Sequence, residues 1–116
     1  MNWLIHELKI NNNQEVPMKT TFTARHFDAS SDLHAYAEDA VQKLDQFYDR
    51  ILTCDIILQP VPNNDNPQQA ELNVKVPQKL LNAKEQAPSY EQAINKVIDN
   101  VSRQLKKYKR KTLHQR

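Results

Sequence analysis

The sequence predicts an α+β domain with the element order β-α-β-β-β-α, a four-stranded sheet with two helices packed on one face. Three observations carry this. Two long segments repeat apolar residues at helical spacing, and four short ones read as strands. Strand alternation implies a sheet with one covered and one wet face. Two helices on a single side bury the apolar stripes and the covered face together.

"KTTFTAR" (Lys19 to Arg25), rich in Thr and Phe, reads as the first strand. Ser30 offers an N-cap. Behind it Leu33, Ala37, Ala40, Val41, Leu44, Phe47 and Tyr48 recur at helical spacing, predicting one helix from about Ser31 to Tyr48. "ILTCDIILQ" follows as a strand, with Leu52, Cys54, Ile56 and Leu58 on one face and Thr53, Asp55 and Gln59 on the other. "PVPNNDNP" is a loop by composition. "QAELNVKV" alternates Ala70, Leu72, Val74 and Val76 inward with Glu71, Asn73 and Lys75 outward. A tight turn at "PQK" leads into "KLLNAKE" as the fourth strand. Ser89 caps the last helix, with Gln92 as its capping-box partner. Tyr90, Ile94, Val97, Ile98, Val101, Leu105 and Tyr108 form that helix's apolar stripe.

Residues 18–116 thus form a single domain. Residues 1–17 read as an N-terminal extension, flexible, ending in the polar linker "NNNQEVP", with Met18 in the place of a usual first residue. Trp3, Leu4, Ile5 and Leu8 could line a short helix there, but isolated helices of this length are marginal in water. A mean hydropathy of −0.80 means a small core and a wet surface. The sequence holds no glycine, so turns with positive φ fall to Asn or Asp, which the "PNNDNP" run supplies. The one cysteine, Cys54, excludes an internal disulfide and fits a reducing, cytoplasmic compartment. No apolar run reaches the roughly 18 residues of a membrane-spanning helix.

Charge is the informative property. The last sixteen residues carry Arg103, Lys106, Lys107, Lys109, Arg110, Lys111 and Arg116 and no acidic residue, so a net charge of +2 conceals a tail of +7 on a body of −5. Such polarity points to a polyanionic partner. At about 100° per residue, Lys106, Lys107, Arg110 and Lys96 fall within about 60° of Arg103, opposite the apolar stripe. A solvated helix face usually mixes signs, and this one does not after Asp99. The macrodipole accounts for two or three terminal cations, not seven. Phosphate contact is the leading use of such a ridge. Tyr36, Phe47, Tyr48, Tyr90, Tyr108 and Phe27 sit at core-side or edge positions, which argues for reading shape and phosphates over base sequence.

Catalytic chemistry is not visible. His6, His26, His34 and His114 are dispersed without metal-ligand spacing, a phosphate-cradling loop needs glycine, and the serines lack a nucleophile's context. No enzyme activity and no cofactor are expected.

"HFDASSDLHAYAEDAVQKLDQFYDRI", with its phrase "KLDQFYDRI" (Lys43 to Ile51), resembles the first-helix region of the bacterial ribosome hibernation-promoting and ribosome-associated inhibitor family, also labelled sigma-54 modulation protein. "SYEQAINKVIDNVSRQLKKYKRK", with "RQLKKYK", resembles its second helix. The resemblance spans Met18 to about Lys111 and has the same element order. It implies binding to the small ribosomal subunit in the mRNA–tRNA channel, in starved or stationary cells, through ribosomal RNA. It implies a translation inhibitor that is monomeric off the ribosome and that either pairs ribosomes with a separate ribosome-pairing factor or, as short members with an added tail do, prevents pairing. It places Arg103, Lys106, Lys107 and Arg110 on the family's basic second-helix positions, flanked by Lys109 and Lys111. Arg25, His26, Lys75 and Lys84 are secondary candidates whose alternative is ordinary surface charge. Lys43 and Arg50 lie in the shared phrase, and Arg50 alternatively pairs with Asp49 or Glu85. The family's glycine before its last strand is replaced here by "VPQKL", and the chain resembles the short type. Competing readings are a double-stranded-RNA-binding module, whose basic cluster belongs at the start of the last helix, and a protein-interaction domain that modulates transcription.

Overall fold

The computed structural model describes residues 18–114; the extension 1–17 lies outside them. The elements are β1 (Lys19–Ala24), α1 (Ser31–Gln42), a 3₁₀ turn (Lys43–Gln46), β2 (Thr53–Pro60), β3 (Gln68–Val76), β4 (Lys79–Ala87) and α2 (Tyr90–His114). The sheet order is β1-β2-β3-β4, with β1 parallel to β2 and the other pairs antiparallel. The parallel pair requires a crossover, and α1 supplies it. Helix α1 packs on β1 and α2, while α2 lies on β3 and β4, all on one face. Leu44, Leu58, Leu72, Ile94 and Leu105 are fully buried between the layers.

Each helix starts on a serine. Ser30 Oγ accepts the Leu33 N–H at 3.1 Å. Ser89 Oγ accepts the Gln92 N–H at 3.2 Å and donates to Gln92 Oε1 at 3.0 Å, so the glutamine closes the cap on the hydroxyl rather than on the backbone N–H.

Four local expectations are corrected, and one residue left unassigned is placed. The first helix does not run unbroken to Tyr48. It tightens into 3₁₀ geometry after Gln42, and the Phe47 N–H bonds the Leu44 carbonyl at 3.0 Å, an i→i+3 bond that satisfies a terminal carbonyl where no glycine is available for a left-handed cap. Leu52 precedes β2 and is 37% exposed; Ile51 is the buried residue at that entry. Ile57, assigned to neither face from the sequence, is buried although it alternates onto the open face, where its register partners are Thr23 and Glu71. Strand β4 runs on to Ala87. Finally, positive φ falls on His26 (66°) and Gln78 (69°), not in the "PNNDNP" run. There Asn63 Oδ1 accepts the Asp65 and Asn66 N–H groups instead, an Asx turn. At the β3–β4 hairpin Pro77 fixes φ negative, which excludes the usual type I′ and II′ turns and leaves Gln78 the left-handed position.

The open face is polar and laced across strands. Thr21 donates to Asp55 at 2.6 Å, Asn82 donates to Glu71 and Asn73 at 2.9 and 2.6 Å, and Gln86 donates to Gln69 at 3.1 Å. It needs no second layer of helices to satisfy it.

Candidate nucleic-acid interface

The C-terminal half of α2 is positioned by its tyrosine. Tyr108 is partly buried, meets Tyr48 edge-on at 5.6 Å between centroids, and donates its hydroxyl to the Pro77 carbonyl. That bond fastens the helix to the β3–β4 turn. The turn in turn sets Lys79 beside the helix, with its ammonium 6.0 Å from the Tyr108 ring centroid. Lys79, Lys107 and Lys111 then line one cleft of about 180 Å³, with Leu81, Gln104 and Tyr108 as its remaining walls. No carboxylate lines it. Three lysines from two elements thus line a space in which no carboxylate offsets their charge.

Arg103, Lys106, Lys107, Lys109, Arg110 and Lys111 are all exposed, so the ridge faces away from the core as its angular positions require. Arg103 pairs with Asp99 one turn back. Lys106 lies over the Phe47 ring, 4.8 Å from its centroid, toward α1. Neither ion pair found among the described residues engages Lys106, Lys107, Lys109, Arg110 or Lys111. Arg103/Lys107, Lys106/Arg110 and Lys107/Lys111 are like-charge i,i+4 pairs, each costing about 0.2–0.5 kcal/mol. The helix C-terminus returns about 0.3–1 kcal/mol for favourably placed cations, so the cluster is tolerated without adding to stability.

The other candidates lie apart. Lys75 and Lys84 are exposed on the open sheet face, where Lys84 stands opposite Glu71. Arg25 and His26 follow β1, whose start aligns with Thr53 and Lys75; they therefore sit at the far end of the sheet from the β3–β4 turn. Lys96 is tied to that far end, donating to the Gln86 carbonyl at 2.8 Å. Lys96 is exposed, as its place around the helix axis requires, but it lies along the axis from the cluster and its contact is with the opposite end of β4. Arg50 makes no ion pair with Asp49 or Glu85, and Glu85 instead accepts from Asn100 at 2.9 Å.

Lys79 is the residue that sequence reading missed. Its signal was the two-residue turn itself, which returns β4 directly beneath the end of the last helix.

The remaining chemistry is inert. Burial, with Asp45 nearby, pushes the Cys54 thiol up to about 12, and Cys54 Sγ sits 3.4 Å from Met18 Sδ. A thiol held neutral is neither a nucleophile nor a ligand. Burial likewise raises Tyr48 and Tyr90. Phe27 stacks on Tyr90 at 4.5 Å, so the aromatics expected as core largely pair with one another. Among the described residues no three His, Cys, Asp or Glu side chains gather as a metal site, and no helix is long and apolar enough to cross a membrane.

Comparison with known proteins bears on the family and the fold. The profile of the family described as "Sigma 54 modulation protein / S30EA ribosomal protein" matches residues 20–113. The chain is 28% identical over 96 residues to the ribosome hibernation promotion factor of Deinococcus radiodurans, covering 81% of this chain and 50% of that one. It thus spans half the length of that curated relative. Among solved structures, the N-terminal domain of Thermus thermophilus Protein Y superposes with a TM-score of 0.66 at 20% identity, covering 81% of this chain and 98% of that one. A ribosomal subunit interface protein from Coxiella burnetii gives a TM-score of 0.71 at 24% identity, with 79% and 98% covered. At these identities the two structures speak for the fold.

Proposed function

This chain belongs to the sigma 54 modulation protein / S30EA ribosomal protein family, and on that premise we propose that it is a ribosome-associated hibernation factor. It binds the small subunit in the mRNA–tRNA channel and grips ribosomal RNA with the basic end of α2. The observation that carries the reading is the carboxylate-free cleft of Lys79, Lys107 and Lys111 beside the exposed Lys106, Lys109 and Arg110. Phosphate oxygens supply the charge that this surface lacks, with little demand on exact geometry. Occupancy of the channel excludes mRNA and tRNA, which makes the protein an inhibitor of initiation and a guard of idle ribosomes in stressed, stationary cells. Its place is cytoplasmic, on the ribosome.

The test is co-sedimentation with small subunits, large subunits and intact ribosomes at low and moderate salt. Saturable pelleting with small subunits that weakens as salt rises is the expected result. The variant Lys106→Glu/Lys107→Glu/Arg110→Glu should stay folded, since all three side chains are exposed, and should no longer pellet. Pelleting of that variant at the parent level would remove the basic end from the interface. A protein-interaction role through the open sheet face predicts instead that binding is indifferent to salt.

A further inference from the structure

We propose that the groove between α1 and α2 receives one unpaired RNA base, with Phe47 as its stacking surface. The inference rests on the RNA-binding reading above and adds a base-recognition site to it. The groove holds about 250 Å³ and is lined by Lys43 and Phe47 on one side and by Asn95, Ile98 and Asp99 on the other. That is below the roughly 300–1,000 Å³ of sites for drug-sized ligands and suits a single planar ring system. Phe47 and Ile98 are only partly buried, packing on the core while also lining the groove.

The chemistry around this apolar floor is that of a nucleotide site. Lys106 holds its ammonium over the Phe47 ring, and Lys43 stands on the groove's wall. Asp99, the one carboxylate lining the groove, is already paired with Arg103. Asn95 is oriented by Tyr36, whose hydroxyl donates to its Oδ1 at 2.8 Å, and its NH₂ makes no hydrogen bond among the described residues. A base lying on Phe47 can accept from that NH₂ while Lys106 passes to its phosphate, continuous with the basic ridge. Aromatic platform, flanking cations and a fixed amide donor are the parts from which single-stranded nucleic acid is held. Phosphate binding alone would use neither the ring nor the amide, and a protein side chain would leave the cationic rim unmatched.

Phe47→Trp, in a chain whose only other tryptophan is replaced by Trp3→Phe, reports on the groove directly. Small ribosomal subunits should quench the residue-47 emission, RNA extracted from those subunits should do the same, and inorganic polyphosphate should not. If small subunits bind this protein without changing its emission, the groove is empty in the complex and the proposal falls. A response to intact subunits but not to extracted RNA would assign the groove to a ribosomal protein and overturn it as well. If the parent does not bind subunits at all, the RNA-binding reading fails first, and this one with it. Phe47→Leu keeps apolar packing and removes the platform; it should lower affinity about tenfold with the salt dependence unchanged, because stacking releases no counterions. An unchanged affinity for Phe47→Leu would also overturn the proposal.

Discussion

Neutralising the cleft should flatten the salt dependence of binding and neutralising the open sheet face should leave it unchanged, although each removes three lysines. The cleft variant is Lys79→Gln/Lys107→Gln/Lys111→Gln, and the control is Lys19→Gln/Lys75→Gln/Lys84→Gln, on the opposite side of the sheet. Each phosphate contact contributes about 0.7–0.9 to the slope of log affinity against log salt. Three lost contacts therefore flatten the slope by roughly 2–3, so that between about 50 and about 200 mM salt the parent loses roughly 20- to 40-fold more affinity than the cleft variant. The control should keep the parent slope. The assay is depletion of the protein by pelleted small subunits across a salt series, with circular dichroism confirming that both variants fold. A control slope that falls as far as that of the cleft variant would refute the reasoning, because it would make net charge, and not the cleft, the determinant.

Three smaller expectations concern the parts that hold the site. Gln78→Gly should stabilise the fold: a left-handed non-glycine residue costs about 1–2 kcal/mol, and glycine's extra chain entropy gives back about 0.5–1 kcal/mol, leaving a gain of about 0.5–1 kcal/mol readable as a higher Tm. An unchanged or lower Tm would mean that the turn is not strained. Tyr108→Phe removes the donor to the Pro77 carbonyl but keeps the ring against Tyr48, so it should cost about 0.5–1.5 kcal/mol in urea unfolding; a loss above about 3 kcal/mol would show that more than the hydrogen bond was removed. Cys54, with its thiol pushed up to about 12, should resist iodoacetamide at about pH 8 in the folded protein and react once urea unfolds it. Burial disfavours the thiolate, so reactivity should emerge only at strongly alkaline pH or on unfolding, and rapid labelling of the native protein would contradict the buried setting.

The fold was legible because each element announces itself locally. Ser30 and Ser89 cap the helices as their positions suggest, and the alternation from Ala70 to Val76 orients β3 and with it the covered face. What failed depends on tertiary packing. The apolar spacing that runs through to Tyr48 is compatible with one long helix, yet Tyr48 must meet Tyr108, and the chain reaches that contact by tightening after Gln42. Ile57 cannot be told from a solvent-facing strand residue until its neighbours across β1 and β3 are known. The left-handed residue of a glycine-free hairpin follows from turn geometry, which hands the strain to whatever follows Pro77.

The candidate site was legible around the helix but not along it. Angular position follows from residue number at about 100° per step, so the outward ridge of Arg103, Lys106, Lys107 and Arg110 could be plotted without coordinates. Distance along the axis is about 1.5 Å per residue, which already separates Lys96 from Lys111 by more than 20 Å. The contact of Lys96 with Gln86 fixes that separation at the far end of β4, whereas the Pro77 carbonyl draws the other end of α2 against Lys79. A helical wheel adds Lys96 and omits Lys79; the hairpin register does the reverse. The basic end is therefore a composite of two elements held by one tyrosine. Reversing Lys96 to Glu should consequently weaken small-subunit binding far less than reversing Lys79, although Lys96 belongs to the ridge and Lys79 does not. Equal losses measured by sedimentation would mean that the whole helix face, and not its fastened end, meets the RNA.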